Sequence, residues 1–197
     1  MYVIEKEIEF KNLLLQEEYN NILKNHFQND VAKTQTNYYI DNDDLTLINN
    51  RLMLRIRTKD GRQMMTLKVP EGQNVVYEYS GEVDVNLNQG SHIDESIIPE
   101  SIKTKLNELN IEMTNFSIQG SLITERLEKA YRSGLLVLDK STYLGQTDYE
   151  LEFEAPDTAS GQADINHILS EYGIVRREET VKSARFFQVL TNQKEGY

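Results

Sequence analysis

Several two-residue alternations in this chain are charged with one sign only, and that limits what they can fold into. Glu5, Glu7 and Glu9, followed by Lys11, fall on one side of the amino-terminal segment, with Tyr2, Ile4, Ile8 and Phe10 on the other. Glu150, Glu152 and Glu154 alternate with Tyr149, Leu151 and Phe153, and Arg55 and Arg57 alternate with Leu54 and Ile56. Period two is the signature of a strand with two unlike faces. A strand with one face in water normally carries a mixture of polar residues there. Like charges at i and i+2 lie roughly 7 Å apart on one face, and they repel unless opposite charge sits between or across from them. Acidic and basic strands must therefore compensate one another, or compensate a bound polyanion and its cations.

The same rhythm recurs along most of the chain. After the first strand, Leu14, Leu15, Ile22, Leu23, His26 and Phe27 suit one stripe of a helix. Strands follow around Tyr38–Ile40 (ending in the polar turn Asp41-Asn42-Asp43-Asp44), at 51–57, at 62–69 after an Asp60-Gly61 hairpin signal, and at 75–85. Ile102, Leu106 and Leu109 predict a short helix after Pro99. Strands resume at 118–127 and 135–139, joined through Arg132-Ser133-Gly134, and at 149–154. Asp164–Tyr172 reads as a helix, and a last segment from Thr180 carries Lys182, Phe186, Phe187 and Leu190. The expectation is one α+β, mostly β domain over residues 1–197, with about eight strands and few helices. Closing those strands into an antiparallel barrel would turn the charged faces into a polar lumen and leave the apolar faces for helices packed outside. The alternation itself defines faces, not closure.

Composition removes several functions. A net charge of −11 argues against a general nucleic-acid or anionic-membrane binder. The chain has no cysteine, which excludes disulfides, thiolate metal sites and cysteine nucleophiles. No apolar signal core or membrane-length apolar run is present, so the cytoplasm is the expected compartment. P-loop, dinucleotide-binding, zincin and nucleophile-elbow motifs are missing. Asp41, Asp43 and Asp44 lack the glycine and distal glutamate of a calcium loop and read as a turn. His26, His92 and His167 are assigned ordinary surface or core roles.

Glu7-Ile8-Glu9-Phe10-Lys11 resembles the E-x-E-x-K signature of the CYTH domain, the fold of the triphosphate tunnel metalloenzymes. Leu54-Arg55-Ile56-Arg57 is similar to that family's R-x-R strand, and Thr66-Leu67-Lys68 to its lysine strand. Glu78 and Glu82, Arg126, Leu138-Asp139, Tyr149-Glu150-Leu151-Glu152 and Lys182 follow in the family's order, from Glu5 to about Arg185. Two departures stand out. Thr124 sits where many relatives place a second basic residue. Asp139 shares parity with Leu135 and Val137, so its inward orientation is expected to need a bend or bulge.

The resemblance implies a phosphohydrolase that holds a triphosphate in the barrel and cleaves it with Mg2+ or Mn2+. Lys11, Arg55, Arg57, Lys68, Arg126 and Lys182 would contact phosphate, guanidinium forks suiting paired oxygens. Glu7, Glu9, Glu150 and Glu152 would hold a first metal, with Glu82 and Asp139 as candidates for a second ion or for outer positions. Glu7, Glu9, Lys11 and Arg57 are the expected catalytic group, while Glu5 and Glu154 are read as a solvated rim. Inorganic tripolyphosphate is the first substrate expectation. Thiamine or nucleoside triphosphates, nucleotide cyclisation and a non-catalytic nucleotide or polyphosphate sensor are the alternatives. The expected partner is a small-molecule triphosphate, with no nucleic acid and no membrane, and a monomer or homodimer.

Overall fold

The computed structural model describes residues 2–72, 74–178 and 180–195. Eight antiparallel strands close into a barrel in the order β1-β5-β4-β3-β2-β6-β7-β8. They are β1 (Tyr2–Leu14), β2 (Lys33–Asp41), β3 (Met53–Lys59), β4 (Arg62–Pro70), β5 (Val75–Glu82), β6 (Ser117–Tyr131), β7 (Gly134–Tyr143) and β8 (Gln146–Glu154). The helices are α1 (Gln16–His26), α2 (Thr46–Asn49), α3 (Glu100–Glu108), α4 (Thr158–Glu171) and α5 (Lys182–Glu195).

Closure depends on the long first strand. From Tyr2 to Ile8 β1 pairs with β5, and from Glu9 to Leu14 it pairs with β8. At the changeover Glu9 N–H donates to the Asn74 carbonyl (3.0 Å) and Ala155 N–H to that of Ile8 (2.8 Å), so the ladder passes between partners without a buried orphan group. The Asp60-Gly61 signal gives a two-residue turn with φ of 52° and 76°, the positive angles that a hairpin of this length requires.

The apolar faces of the strands are covered from outside. Phe10, Leu136, Leu138, Leu151 and Phe153 pack with Ile22 of α1 and Ile165 and Ile168 of α4. Leu54, Ile56, Met65 and Leu67 pack with Ile102 and Leu106 of α3. Two helices depart from the expected plan. The turn at Asp41–Asp44 leads into α2, because the fully buried Asp41 carboxylate accepts N–H groups from Asn42 (2.9 Å), Leu47 and Ile48 (both 3.0 Å). The last helix, α5, packs against residues on the lumen side of β2, β6 and β7 rather than on the outer faces. Its Phe186, Phe187 and Leu190 bury against Tyr39, Leu122 and Tyr143. Gly120 makes room for it, since a Cβ there would lie 2.8 Å from the Phe186 ring.

Candidate active site

The charged faces point inward. Glu7, Glu9, Lys11, Arg55, Arg57, Lys68, Arg126, Glu152 and Lys182 line one cavity of about 460 Å³ inside the barrel. Asp139 and Glu150 lie in the wall behind, 0% and 2% exposed. Barrel closure brings these residues together from six strands and one helix.

The cations and carboxylates form two clusters and one outlier. In the first cluster, Lys68 Nζ lies 2.9 Å from Glu7 and 3.8 Å from Glu9, and it also bonds Glu78. Lys11 Nζ lies 3.0 Å from Glu9 and 3.7 Å from Glu152. In the second, Arg126 grips Asp139 through Nε (2.8 Å) and Nη2 (2.7 Å) and reaches Glu152 with Nη2 (2.7 Å). Lys182 bonds Asp139 (2.8 Å), Glu150 and Glu152. The outlier is Arg57. It donates Nε–H to Asn37 Oδ1 (3.0 Å), and among the described residues it has no carboxylate partner. Arg55 beside it lies 3.8 Å from Glu78, and its buried Nε has no hydrogen-bond partner.

Protonation follows this arrangement. Burial, then the like charges of Arg55 and Arg126, push the Arg57 guanidinium down to about 9. Arginine keeps its proton near neutrality, so this strain is carried as buried positive charge that an anion would relieve. Burial alone would raise Glu78, but Lys68 and Arg55 outweigh it and bring the carboxyl down to about 2. Glu9 is likewise lowered, with Lys11 and Lys68 overcoming burial. Glu154 goes the other way, to about 7, because burial and then the Glu7 charge disfavour its ionised form.

Opposite pH dependences follow. The stabilisation from Glu78 is complete above its ordinary value of 4.5 and is lost as pH falls from there toward 2. Glu154 favours the fold when protonated, so its contribution is complete below 4.5 and is lost as pH rises through about 7. Urea unfolding of Glu78→Gln should approach wild type as pH falls from about 4.5 toward 2. Glu154→Gln should gain on wild type between about pH 5 and 8. A curve parallel to wild type across a variant's own range would contradict that assignment.

Three expected positions are corrected. Glu82 is exposed at the last residue of β5 and lies outside the cavity; Glu78, one helical-turn length earlier in sequence but inward on the same strand face, takes the lining position. Asp139 needs no bulge, because β7 pairs regularly with both β6 and β8. Val137 shares its inward parity and is itself fully buried, while Leu136 and Leu138 face the outer core. Glu154 is half-buried and lines the cavity, whereas Glu5 is exposed as expected. Thr124 faces the lumen and bonds Ser141 (3.2 Å), so no second basic residue enters from β6 at that point. His92 and His167 are exposed, and His26 stacks on Tyr131 and Tyr172 away from the cavity.

Arg185 is the charged residue that sequence reasoning passed over. It bonds Asp148 (2.8 Å) and Glu150 (2.8 Å) and is 8% exposed. The available signal was its i+3 spacing from Lys182, which puts both on one helix face.

The donor set suits a hard divalent cation. It is all carboxylate oxygen, and one ligand atom each from Asp139, Glu150 and Glu152 lies within 4.8 Å of the others. Glu7 and Glu9 stand on the neighbouring strand of the same lumen.

A sequence profile of the CYTH domain matches residues 5–187. The chain belongs to the CYTH domain family. It is 37% identical over 186 residues to YjbK of Bacillus subtilis, whose name assigns it provisionally to the triphosphatases; the match spans 93% of this chain and 95% of that one. A crystal structure from Bacillus halodurans, described provisionally as an adenylate cyclase, superposes with a TM-score of 0.79 at 29% identity, covering 93% of this CYTH chain and 98% of the other. HpAC1 from Hippeastrum, reported to have a dominant triphosphatase activity, shares the fold at 19% identity with a TM-score of 0.68, covering 93% and 95% of the two chains. The mostly-strand closed barrel of this CYTH domain is thus the architecture of its relatives. No helix among the described residues is long and apolar enough to cross a membrane.

Proposed function

We propose that this CYTH domain hydrolyses a triphosphate held in the barrel, with a divalent cation, and that inorganic tripolyphosphate is its substrate. One observation carries the reading: Arg55, whose buried Nε has no hydrogen-bond partner, and Arg57, which bonds the neutral Asn37, line a cavity whose opposite wall is a belt of carboxylates. An anion site and a cation site therefore share one lumen. The names of YjbK and HpAC1 support the same reaction class.

In this reading Arg57 and Arg55 take paired phosphate oxygens, and relief of the charge strain at Arg57 contributes to binding. Lys11, Lys68, Arg126 and Lys182 hold the rest of the chain of phosphates and give up part of their carboxylate contacts to do so. Glu7, Glu9, Asp139, Glu150 and Glu152 would hold magnesium or manganese, which supplies charge neutralisation and a lowered pKa for a water at the site. Glu82, being exposed, is assigned no part. Apart from the nearly buried Tyr39, no described aromatic residue lines the lumen, so nothing there stacks on a base. That favours tripolyphosphate over a nucleotide.

The test is phosphate release from tripolyphosphate, ATP and thiamine triphosphate with magnesium, manganese or EDTA. Turnover of tripolyphosphate abolished by EDTA is the expected result. Preference for ATP or thiamine triphosphate would replace the substrate, and cyclic AMP from ATP would replace the reaction. Tight binding without turnover of any of them would make the protein a sensor.

A further inference from the structure

Lys182 stands where the three wall carboxylates converge. Its ammonium bonds one oxygen each of Asp139, Glu150 and Glu152, the same three groups whose ligand atoms lie within 4.8 Å of one another. Arginines take further oxygens: Arg126 on Asp139 and Glu152, Arg185 on Glu150. With Lys11 also 3.7 Å from Glu152, the three carboxylates are compensated by the protein's own cations without any ion from solution. A divalent cation wants these oxygens at about 2.0–2.6 Å. It cannot share that triangle with an ammonium already hydrogen-bonded to all three. If both stayed, a dication and an ammonium would be held against the same three carboxylates and would repel each other strongly even in a partly polar interior.

We propose that Lys182 is a built-in counter-cation, displaced from Asp139, Glu150 and Glu152 when the metal enters and thereby released toward the phosphates. The device rests on the metal-dependent reading above. Its position in the fold suits it for movement. Lys182 is the first residue of α5, behind the partly exposed Val181, and Val181, Lys182, Ser183 and Ala184 all line the cavity. The rest of α5 is anchored separately by Phe186, Phe187 and Leu190. Arg185, in the same turn, is held by Asp148 and Glu150, so it is the Lys182 side chain that can shift while the helix stays seated. Metal binding and triphosphate binding become coupled through this lysine, each strengthening the other by the same factor.

The test uses the whole protein, manganese alone and no phosphate. Calorimetric titration should show Mn2+ binding about fivefold or more tighter in Lys182→Met and Lys182→Gln than in wild type. Amine-reactive labelling of wild type, read by mass spectrometry, should show Lys182 becoming more reactive on adding Mn2+, with the surface lysine Lys103 unchanged. Affinities within twofold of wild type would overturn the proposal. So would a tighter variant with no change in wild-type Lys182 labelling, because loss of a nearby charge suffices for that. Absence of Mn2+ binding in all three proteins would instead sink the metal reading itself.

Discussion

Replacing Arg126 by methionine is expected to destabilise the protein by about 3–5 kcal/mol, while the same change at Arg57 leaves stability unchanged or raises it. The two arginines lie in one lumen and differ in their partners. Arg126 makes three hydrogen bonds of 2.7–2.8 Å to Asp139 and Glu152, which are 0% and 3% exposed. Removing it strands two buried carboxylates beside Lys182 and Lys11, which cannot replace the fork. Arg57 bonds only the neutral Asn37, and burial with the repulsion of Arg55 and Arg126 outweighs the attraction of Glu78 and Glu152, so its removal relieves strain in the free protein. Its loss should appear in ligand binding instead, as a roughly tenfold to hundredfold weaker affinity for tripolyphosphate. Thermal unfolding and competition binding on both variants check this. The melting point should fall on the order of 10 °C for Arg126→Met. A matching fall for Arg57→Met would mean that Arg57 has a structural role.

Glu9→Gln should lower metal-dependent turnover on the order of 100-fold or more, with little effect on folding. The substitution keeps the volume and one acceptor oxygen and removes one charge from the belt. Glu9 is 8% exposed and touches Lys11 at 3.0 Å and Lys68 at 3.8 Å. Both lysines keep other carboxylates, Glu152 for the first and Glu7 and Glu78 for the second. The fold should therefore lose about 1 kcal/mol or less. Rates at saturating and limiting Mn2+, with circular dichroism as the folding check, decide the matter. Glu5→Gln is the internal control: it lies on the same strand face but is exposed at the start of the run. Full activity in Glu9→Gln would remove the first strand from the chemistry. Equal losses at Glu5 and Glu9 would point to general charge rather than to a site.

Most of the barrel was legible because its information is local. Alternation assigns each side chain to a face, and the sign of the charged face marks it as the one that needs a partner. Glu7, Glu9, Lys11, Arg55, Arg57, Lys68, Arg126, Glu150 and Glu152 followed from that, with the family resemblance ordering them. Height along the barrel was not legible. Glu78 and Glu82 share a face, as do Glu5 and Glu7, but strand tilt and register with neighbours decide which of them reaches the lumen and which the rim. The expected bulge at Asp139 came from taking Val137 as an outward residue. In a small barrel some inward positions are filled by apolar side chains, and Val137 is one.

The sequence by itself determined the faces, the hairpins, the approximate number of strands and the chemical character of the lumen. The tertiary structure alone decided that α5 packs on the lumen side of β2, β6 and β7, that Lys182 sits among Asp139, Glu150 and Glu152, and that Arg57 bonds the neutral Asn37 rather than a carboxylate. The physical reason is range. Parity and turn chemistry are set by a few neighbouring residues, whereas ion pairing inside a closed barrel depends on strands more than a hundred residues apart meeting in one register.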